Sequence, residues 1–482
     1  MFKNYFDKLW NSPTLMTWLS YSTKALSLFI VLPQVLQEFS PEDIVLWYLF
    51  FTIISLQSIA DFGFRQTFSR LISYAFKGAK EIGVLKKDNS DSAINQDDQP
   101  NLLLLNNIIS TMKFIYLRLT IVAFIFMGVI GSFSMVTPIN NTSDIKSSWL
   151  CWLIVLFVSC ISFYGKIYMN FLEGLNKIAL VRRVETLTSI GSIITSIVVL
   201  YFAPSLINLV IANQVWIIIV TVRDWYLCYT TDDNFYNKVS KKLPFNKELF
   251  KQIWQPAWRS GISGLMSVGL TNITGLIYAQ IGTTFEVASY LLALRIINVI
   301  KEVSMAPFYS KIPLIAMLRV KNDLSGLINV IKRGMFLSHM VYIVGFISVG
   351  LLSGTLLKLI NSQVQFVSQP LWILLGLAFF AHRFGAMHMQ VYMSTNHIIS
   401  HIVDGISGVI CIISTVLLSN YIGVYAIPVG MLIAYLGFFS WYAAKYSYSS
   451  LQVKFWDFEK STSLVAILIL LGYVFVNSFV VI

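Results

Sequence analysis

The sequence predicts an all-α, polytopic membrane protein built from two pseudo-symmetric six-helix bundles with an extra helix at the C-terminus. Three observations predict it. Of the 482 residues, 56% are hydrophobic and only 12% charged, with a mean hydropathy of +0.70, whereas soluble domains carry about 25% charged residues. Apolar runs of membrane-spanning length recur along the chain, with Lys and Arg gathered in alternate connections. Short stretches of the first half return in the second. The net charge of +12 therefore reads as a positive-inside bias, and no nucleic-acid partner is expected.

Taken in order, residues 1–12 form a short basic amphipathic start at the inner surface. The first apolar run is long and lacks a small-residue cleavage site, so it reads as a retained span and not a signal peptide. First-half spans are expected at 14–36, 44–60, 114–133, 148–169, 187–202 and 206–226. The most polar stretch, 77–101, reads as a cytoplasmic loop, and 134–147 as the longest external loop. The first lobe is thus 1–230, followed by a basic cytoplasmic linker at 231–251. The second lobe, 252–446, has spans at 261–281, 287–303, 335–357, 371–391, 402–418 and 424–441. A segment at 447–482 ends in a thirteenth apolar run, 464–482. With the N-terminus inside, nearly every Lys and Arg falls in an inner loop or helix end, Lys146 and Lys358 being the external exceptions.

The two halves are argued from two echoes. In residues 40–73, Tyr48-Leu49 and Phe68-Ser69-Arg70-Leu71 match Tyr290-Leu291 and Tyr309-Ser310-Lys311-Ile312. Asn176-Lys177-Ile178 with Val181, Glu185 and Ile193 matches Asn396-His397-Ile398 with His401, Asp404 and Ile413. The offsets differ by about the length of residues 80–101, as an insertion in the first half would produce. Six spans per half is an even number, which gives both halves one orientation.

No catalytic signature is present: no Gly-rich phosphate loop, Walker lysine, GxSxG or HExxH. The DFG at Asp61–Gly63 shares only its letters with the kinase motif; Gly63 reads as a packing or bending point and Asp61 as a cap or a partner of Arg65. The cysteines Cys151, Cys160, Cys228 and Cys411 are scattered without a CxxC and read as core residues. Trp47, Tyr48, Trp149, Trp152, Trp225, Trp254 and Trp258 fall at span ends, where an aromatic belt is the default.

Chemistry must then come from ionisable groups at membrane depth, which are costly and face a cavity or a partner. Lys24 lies about ten residues, roughly 15 Å, into the first span, and Arg295 lies at similar depth in the eighth. They read either as the lining of a cationic cavity or as cations satisfied by a carbonyl or an acid. Arg118 and Arg259, nearer inner ends, can reach water. Arg383 with Asp404, and Lys166 with Glu185 in the first half, read as coupling or structural pairs. His382, His388, His397 and His401 crowd one region. His397 and His401 have i,i+4 spacing, but without a Cys or carboxylate cluster they are not read as a metal site, though a proton-sensing role stays open.

With these residues in place, the chain resembles the polysaccharide-biosynthesis, Wzx-type oligosaccharide flippases of the multidrug/oligosaccharidyl-lipid/polysaccharide (MOP) exporter superfamily. The carrying residues are Ser40-Pro41-Glu42, Leu46-Trp47-Tyr48, Asp61-Phe62-Gly63-Phe64, Arg70, Tyr290 with Arg295, and Glu173-Gly174-Leu175-Asn176-Lys177. The resemblance implies a MATE-like fold, no cofactor and no enzymatic activity. Its cargo would be an undecaprenyl-pyrophosphate-type lipid-linked oligosaccharide, flipped across the bacterial cytoplasmic (inner) membrane for O-antigen, capsule or exopolysaccharide assembly. Membrane lipids and a polysaccharide polymerase with its chain-length machinery are the partners it implies. The substrate-binding cations would be Lys24, Arg295, Arg259 and Arg118. A cation-coupled multidrug or small-molecule exporter of the same fold is the alternative. The thirteenth apolar run departs from a twelve-span pattern.

Overall fold

The structure is a computed structural model. It describes residues 10, 13–57, 61, 63–76, 78, 99–241, 243–266, 270–320, 323–395, 397 and 399–480. Most of the expected loop 77–101, residue Phe62 and the side chain of Lys24 lie outside the described residues.

Every described element is helical. In the first half α1 (Pro13–Glu38) and α2 (Pro41–Gln57) lead to a turn at Asp61 and Gly63, then to α3 (Phe64–Phe76). α4 (Leu102–Phe126) widens through a π-helical segment, Met127–Gly131, into α5 (Ser132–Asn140). α6 (Ile145–Gly174), α7 (Ile178–Phe202), α8 (Leu206–Thr230), α9 (Phe235–Val239) and α10 (Lys247–Gly264) follow. The second half holds α11 (Leu270–Ile281), α12 (Thr284–Tyr309), α13 (Ile312–Val320), α14 (Leu324–Leu359), α15 (Gln369–Met393) and α16 (Ser400–Ile422). α17 (Ala426–Ala434), a second π segment (Tyr435–Phe439), α18 (Ser440–Leu451), α19 (Phe455–Glu459) and α20 (Leu464–Val480) complete it.

Side chains that accept orphan N–H groups fix where several of these helices start. Asn101 takes the N–H of Leu104, Asp144 that of Ser147, Ser205 that of Asn208, and Asp323 that of Gly326. Thr283 and Glu286 cap each other reciprocally at the head of α12.

Among the described residues, seven helical runs are long and apolar enough to cross a bilayer. The last, Ser400–Leu451, has 52 residues, about 78 Å at 1.5 Å per residue, which is too long for one crossing. It folds back at Gly423, whose φ of 56° ends α16, so that α17 returns against it. α12 is long enough to span but is interrupted by Arg295, Lys301 and Glu302. The apolar α20 is shorter, with Leu464–Asn477 as its described core.

The chain divides into two compact units, Met1–Val268 and Gly269–Ile482. α9 and α10 pack into the first: Tyr236, Val239, Leu249, Ile253 and Ala257 share a core with Phe64, Phe68, Tyr116 and Phe171. The segment read as a linker is therefore largely packed structure. The same helix pairs recur in each unit. α7 packs on α8 as α16 packs on α17, and α6 on α8 as α15 on α17 and α18.

Two expectations change. The external loop read at 134–147 shrinks to the four residues between α5 and α6, because Met135 and Ile139 are buried one helical turn apart and carry the helix on. Trp47 and Trp152 are core residues and not belt residues; the Trp152 indole donates to Ser132 Oγ at 2.8 Å. Trp225 and Trp254 are the exposed pair.

The echo of residues 40–73 differs between halves in one respect. α2 and α3 are separate helices around the Asp61 turn, where Gly63 has φ 70° and an added Cβ would collide with the Ser260 side chain. α12 runs unbroken through the matching region.

Candidate functional site

The expected cavity cations fall as follows. Arg295 is exposed near the middle of α12, on a helix whose residues Tyr290 to Leu294 are buried. Arg259 is exposed on α10, its guanidinium 5.8 Å from the Trp258 ring, and Arg118 is exposed on α4, 5.1 Å from the Phe114 ring. Lys24 stands within α1.

The two expected pairs are not formed. Arg383 donates from Nη2 to the carbonyls of Ser338 at 2.8 Å and Ser304 at 3.3 Å and lies 4.6 Å from the Tyr342 ring, with no bond to Asp404. Lys166 lies 4.8 Å over the Phe163 ring. Glu185 is taken by Arg182 Nη1 at 2.8 Å and by Ser20 Oγ at 2.9 Å. The physical reason is proximity: Arg182 shares a helix face with Glu185 at i,i+3.

A polar cluster the sequence reading did not assemble lies inside the first unit. Tyr116 on α4 donates its hydroxyl to Asp61 Oδ1 at 2.5 Å, and Asn170 on α6 donates to the same phenol oxygen at 2.7 Å. The Arg65 N–H donates to Asp61 Oδ2 at 3.2 Å, so Asp61 caps α3. The side chains of Asp61, Tyr116 and Asn170 are all buried. Among the described residues, a phenol and a backbone N–H hold this carboxyl, and the Lys166 ammonium and Arg65 guanidinium act on it electrostatically without reaching ion-pair distance. The Arg65 guanidinium turns instead to Glu173, at 2.7 Å, which Arg182 also approaches at 3.6 Å. Asp61, Arg65, Glu173, Arg182, Glu185 and Ser20 thus link α1, α3, α6 and α7 in one polar chain. The signal for it was available: Tyr116 and Asn170 are polar groups inside apolar runs.

The histidines separate. His382 stacks on Tyr435 and Phe439 of the second π segment. His397 Nδ1 meets Thr395. His388 is fully buried, with Nε2 3.2 Å from Glu459 Oε1. Glu459, in the connection before α20, also accepts from Tyr448 Oη and Thr462 Oγ1, each at 2.7 Å, and from Ser463 Oγ. Burial alone would raise this carboxyl. The His388 imidazole and the two hydroxyls of Thr462 and Ser463 outweigh it and hold Glu459 at about 2, below its ordinary 4.5. No group of three metal-ligating side chains gathers among the described residues.

No protein-family model and no curated protein matches the sequence. Solved structures do resemble it. An inward-facing multidrug resistance MATE family transporter of the MOP superfamily matches with a TM-score of 0.64 at 14% identity, covering 91% of this chain and 95% of that one. The MATE multidrug transporter DinF-BH gives 0.61 at 13%, covering 93% and 97%. The lipid II flippase MurJ, in an inward closed conformation, gives 0.58 at 14%, covering 95% and 92%. These are transporters and a flippase, not enzymes. The chain is a multi-pass membrane protein with the fold that MATE transporters and MurJ share.

Proposed function

We propose that this chain is a flippase that moves a polyprenyl-pyrophosphate-linked oligosaccharide unit from the inner to the outer leaflet of the bacterial cytoplasmic membrane, its N-terminus cytoplasmic, for surface-polysaccharide assembly. The observation that carries the reading is Arg295. It stands eleven residues from one end of α12 and fourteen from the other, about 16 and 21 Å at 1.5 Å per residue, and it is exposed. A guanidinium at that depth faces a partner or a water-filled cavity, and its exposure here favours the cavity. A pyrophosphate is the ligand its planar fork matches best, through paired charge-assisted hydrogen bonds. The MurJ likeness supports a lipid-linked cargo.

The test is direct. Proteoliposomes holding the purified chain, loaded with a fluorescent polyprenyl-pyrophosphate oligosaccharide, should expose the inner-leaflet sugar to external periodate several-fold faster than empty vesicles. Equal rates would remove the reading.

A cation-coupled exporter of the same fold is the second reading, and the buried carboxyl of Asp61 favours it. On the flippase reading, cells expressing the chain accumulate ethidium as control cells do, with or without Asp61→Asn. A several-fold fall in accumulation that Asp61→Asn reverses would favour the exporter.

A further inference from the structure

The second unit holds a corner where hydrogen-bond donors outnumber acceptors. Arg383, on α15, is fully buried. One of its nitrogens, Nη2, is satisfied by the carbonyls of Ser304 and Ser338. Its Nε and Nη1 are buried and meet no acceptor. Ser338, on α14, presents a buried hydroxyl that is likewise unpartnered. His339 follows it, with both ring nitrogens buried and unpartnered. The His339 ring sits against Phe380 at 5.0 Å and Phe384 at 6.3 Å, the residues that flank Arg383 on α15. The hydroxyl of Tyr342, under the guanidinium, is committed to the Gly376 carbonyl at 2.8 Å.

Among the described residues no acid lies within ion-pair distance of this charge. Arg383 makes no ion pair among the described residues, and Glu459 is engaged by Tyr448, Thr462, Ser463 and His388. Lys301, its ammonium 5.3 Å from the Phe379 ring, adds positive charge on the neighbouring α12. A buried guanidinium without a counter-charge is strongly unfavourable. Water would supply acceptors but no charge, and each water must also find acceptors for its own protons. A small monovalent anion supplies both charge and acceptor capacity.

We propose that Arg383, Ser338 and His339 hold a chloride-class anion inside the second unit. The rings of Phe380 and Phe384 lie 5.0 and 6.3 Å from the His339 ring, and Tyr342 lies 6.0 Å from Phe380, a close aromatic surround that suits a small ligand. The site is independent of the cargo reading, because it is assembled within one unit from groups that are not exposed.

The test uses the full chain, purified in lipid nanodiscs, with radiolabelled chloride as probe. Wild-type protein should bind a single chloride that excess unlabelled chloride displaces. Its unfolding midpoint should rise and saturate as chloride replaces gluconate. Ser338→Ala, a small change, should weaken binding about tenfold, as expected for the loss of one charge-assisted hydrogen bond. Arg383→Gln should abolish binding. Absence of displaceable chloride from the wild type would mean water alone fills the corner and would overturn the proposal. Binding undiminished in Ser338→Ala would place the anion elsewhere and would overturn it too, whether or not Arg383→Gln folds.

Discussion

Neutralising Lys24 and Arg295 together, each to glutamine, is expected to abolish surface polysaccharide while the protein stays in the membrane at its normal level. Each cation would offer a pyrophosphate a charge-assisted hydrogen bond, worth about 1.5–3 kcal/mol. Losing both weakens cargo binding on the order of a hundredfold or more. Glutamine removes the charge while keeping a polar side chain of moderate length, and Arg295 is exposed and so is not part of the unit's core. Either single change should lower polymer less than the pair does. Carbohydrate gels of the cell surface, with an immunoblot of the membrane fraction, make the measurement. Normal polymer from the double variant would retire the cationic lining. Arg118 and Arg259, each lying against an aromatic ring on the surface, should give smaller losses.

Glu459→Gln is expected to cause the largest loss of stability. The Glu459 carboxyl sits at about 2 in the folded protein against an ordinary 4.5, a difference of about 2.5 pH units, worth about 3 kcal/mol. A depressed carboxyl stabilises the folded state fully above its ordinary value, so the contribution is complete above about pH 4.5. It is lost progressively as pH falls toward about 2, where the folded form also protonates. Glutamine removes the charge and leaves the buried His388 beside a neutral amide. The apparent unfolding midpoint of the variant should therefore lie well below that of the wild type at neutral pH. The gap should narrow as the pH drops below about 4.5, because the wild type then loses what the variant already lacks. Equal midpoints at pH 7 would show that the Tyr448, Thr462 and Ser463 contacts do not depend on the charge.

Most of the helices and their order were legible because apolar length is a property of the local sequence. Asn101, Asp144, Ser205, Thr283 and Asp323 start their helices as their residue types lead one to expect. The hairpin at Gly423 was also legible, since two apolar runs flank a glycine. The charge partners were not. One nitrogen of Arg383, Nη2, goes to the carbonyls of Ser304 and Ser338, and no residue type announces a carbonyl. Lys166 and Glu185 are of opposite sign and comparable depth, yet Arg182, one helical turn away, reaches Glu185 first. Asp61, Tyr116 and Asn170 come from three segments with no common spacing, so only the packing of α4 and α6 beside the turn brings them together. Glu459 carries no local signal at all, and its burial depends on how α18, α15 and α19 meet.

Twenty residues separate Tyr48 from Phe68, but nineteen separate their counterparts Tyr290 and Tyr309. A continuous α-helix has no room for a surplus residue; it must bulge or part. In the first half it parts, and the joint frees the Arg65 backbone N–H, which the Asp61 carboxyl meets. In the second half α12 is unparted, and its Ser304 carbonyl receives the Arg383 guanidinium. A single residue's difference between two copies of one pattern thus accompanies a jointed rod closed by a carboxyl in one copy and an unbroken rod that receives a guanidinium in the other.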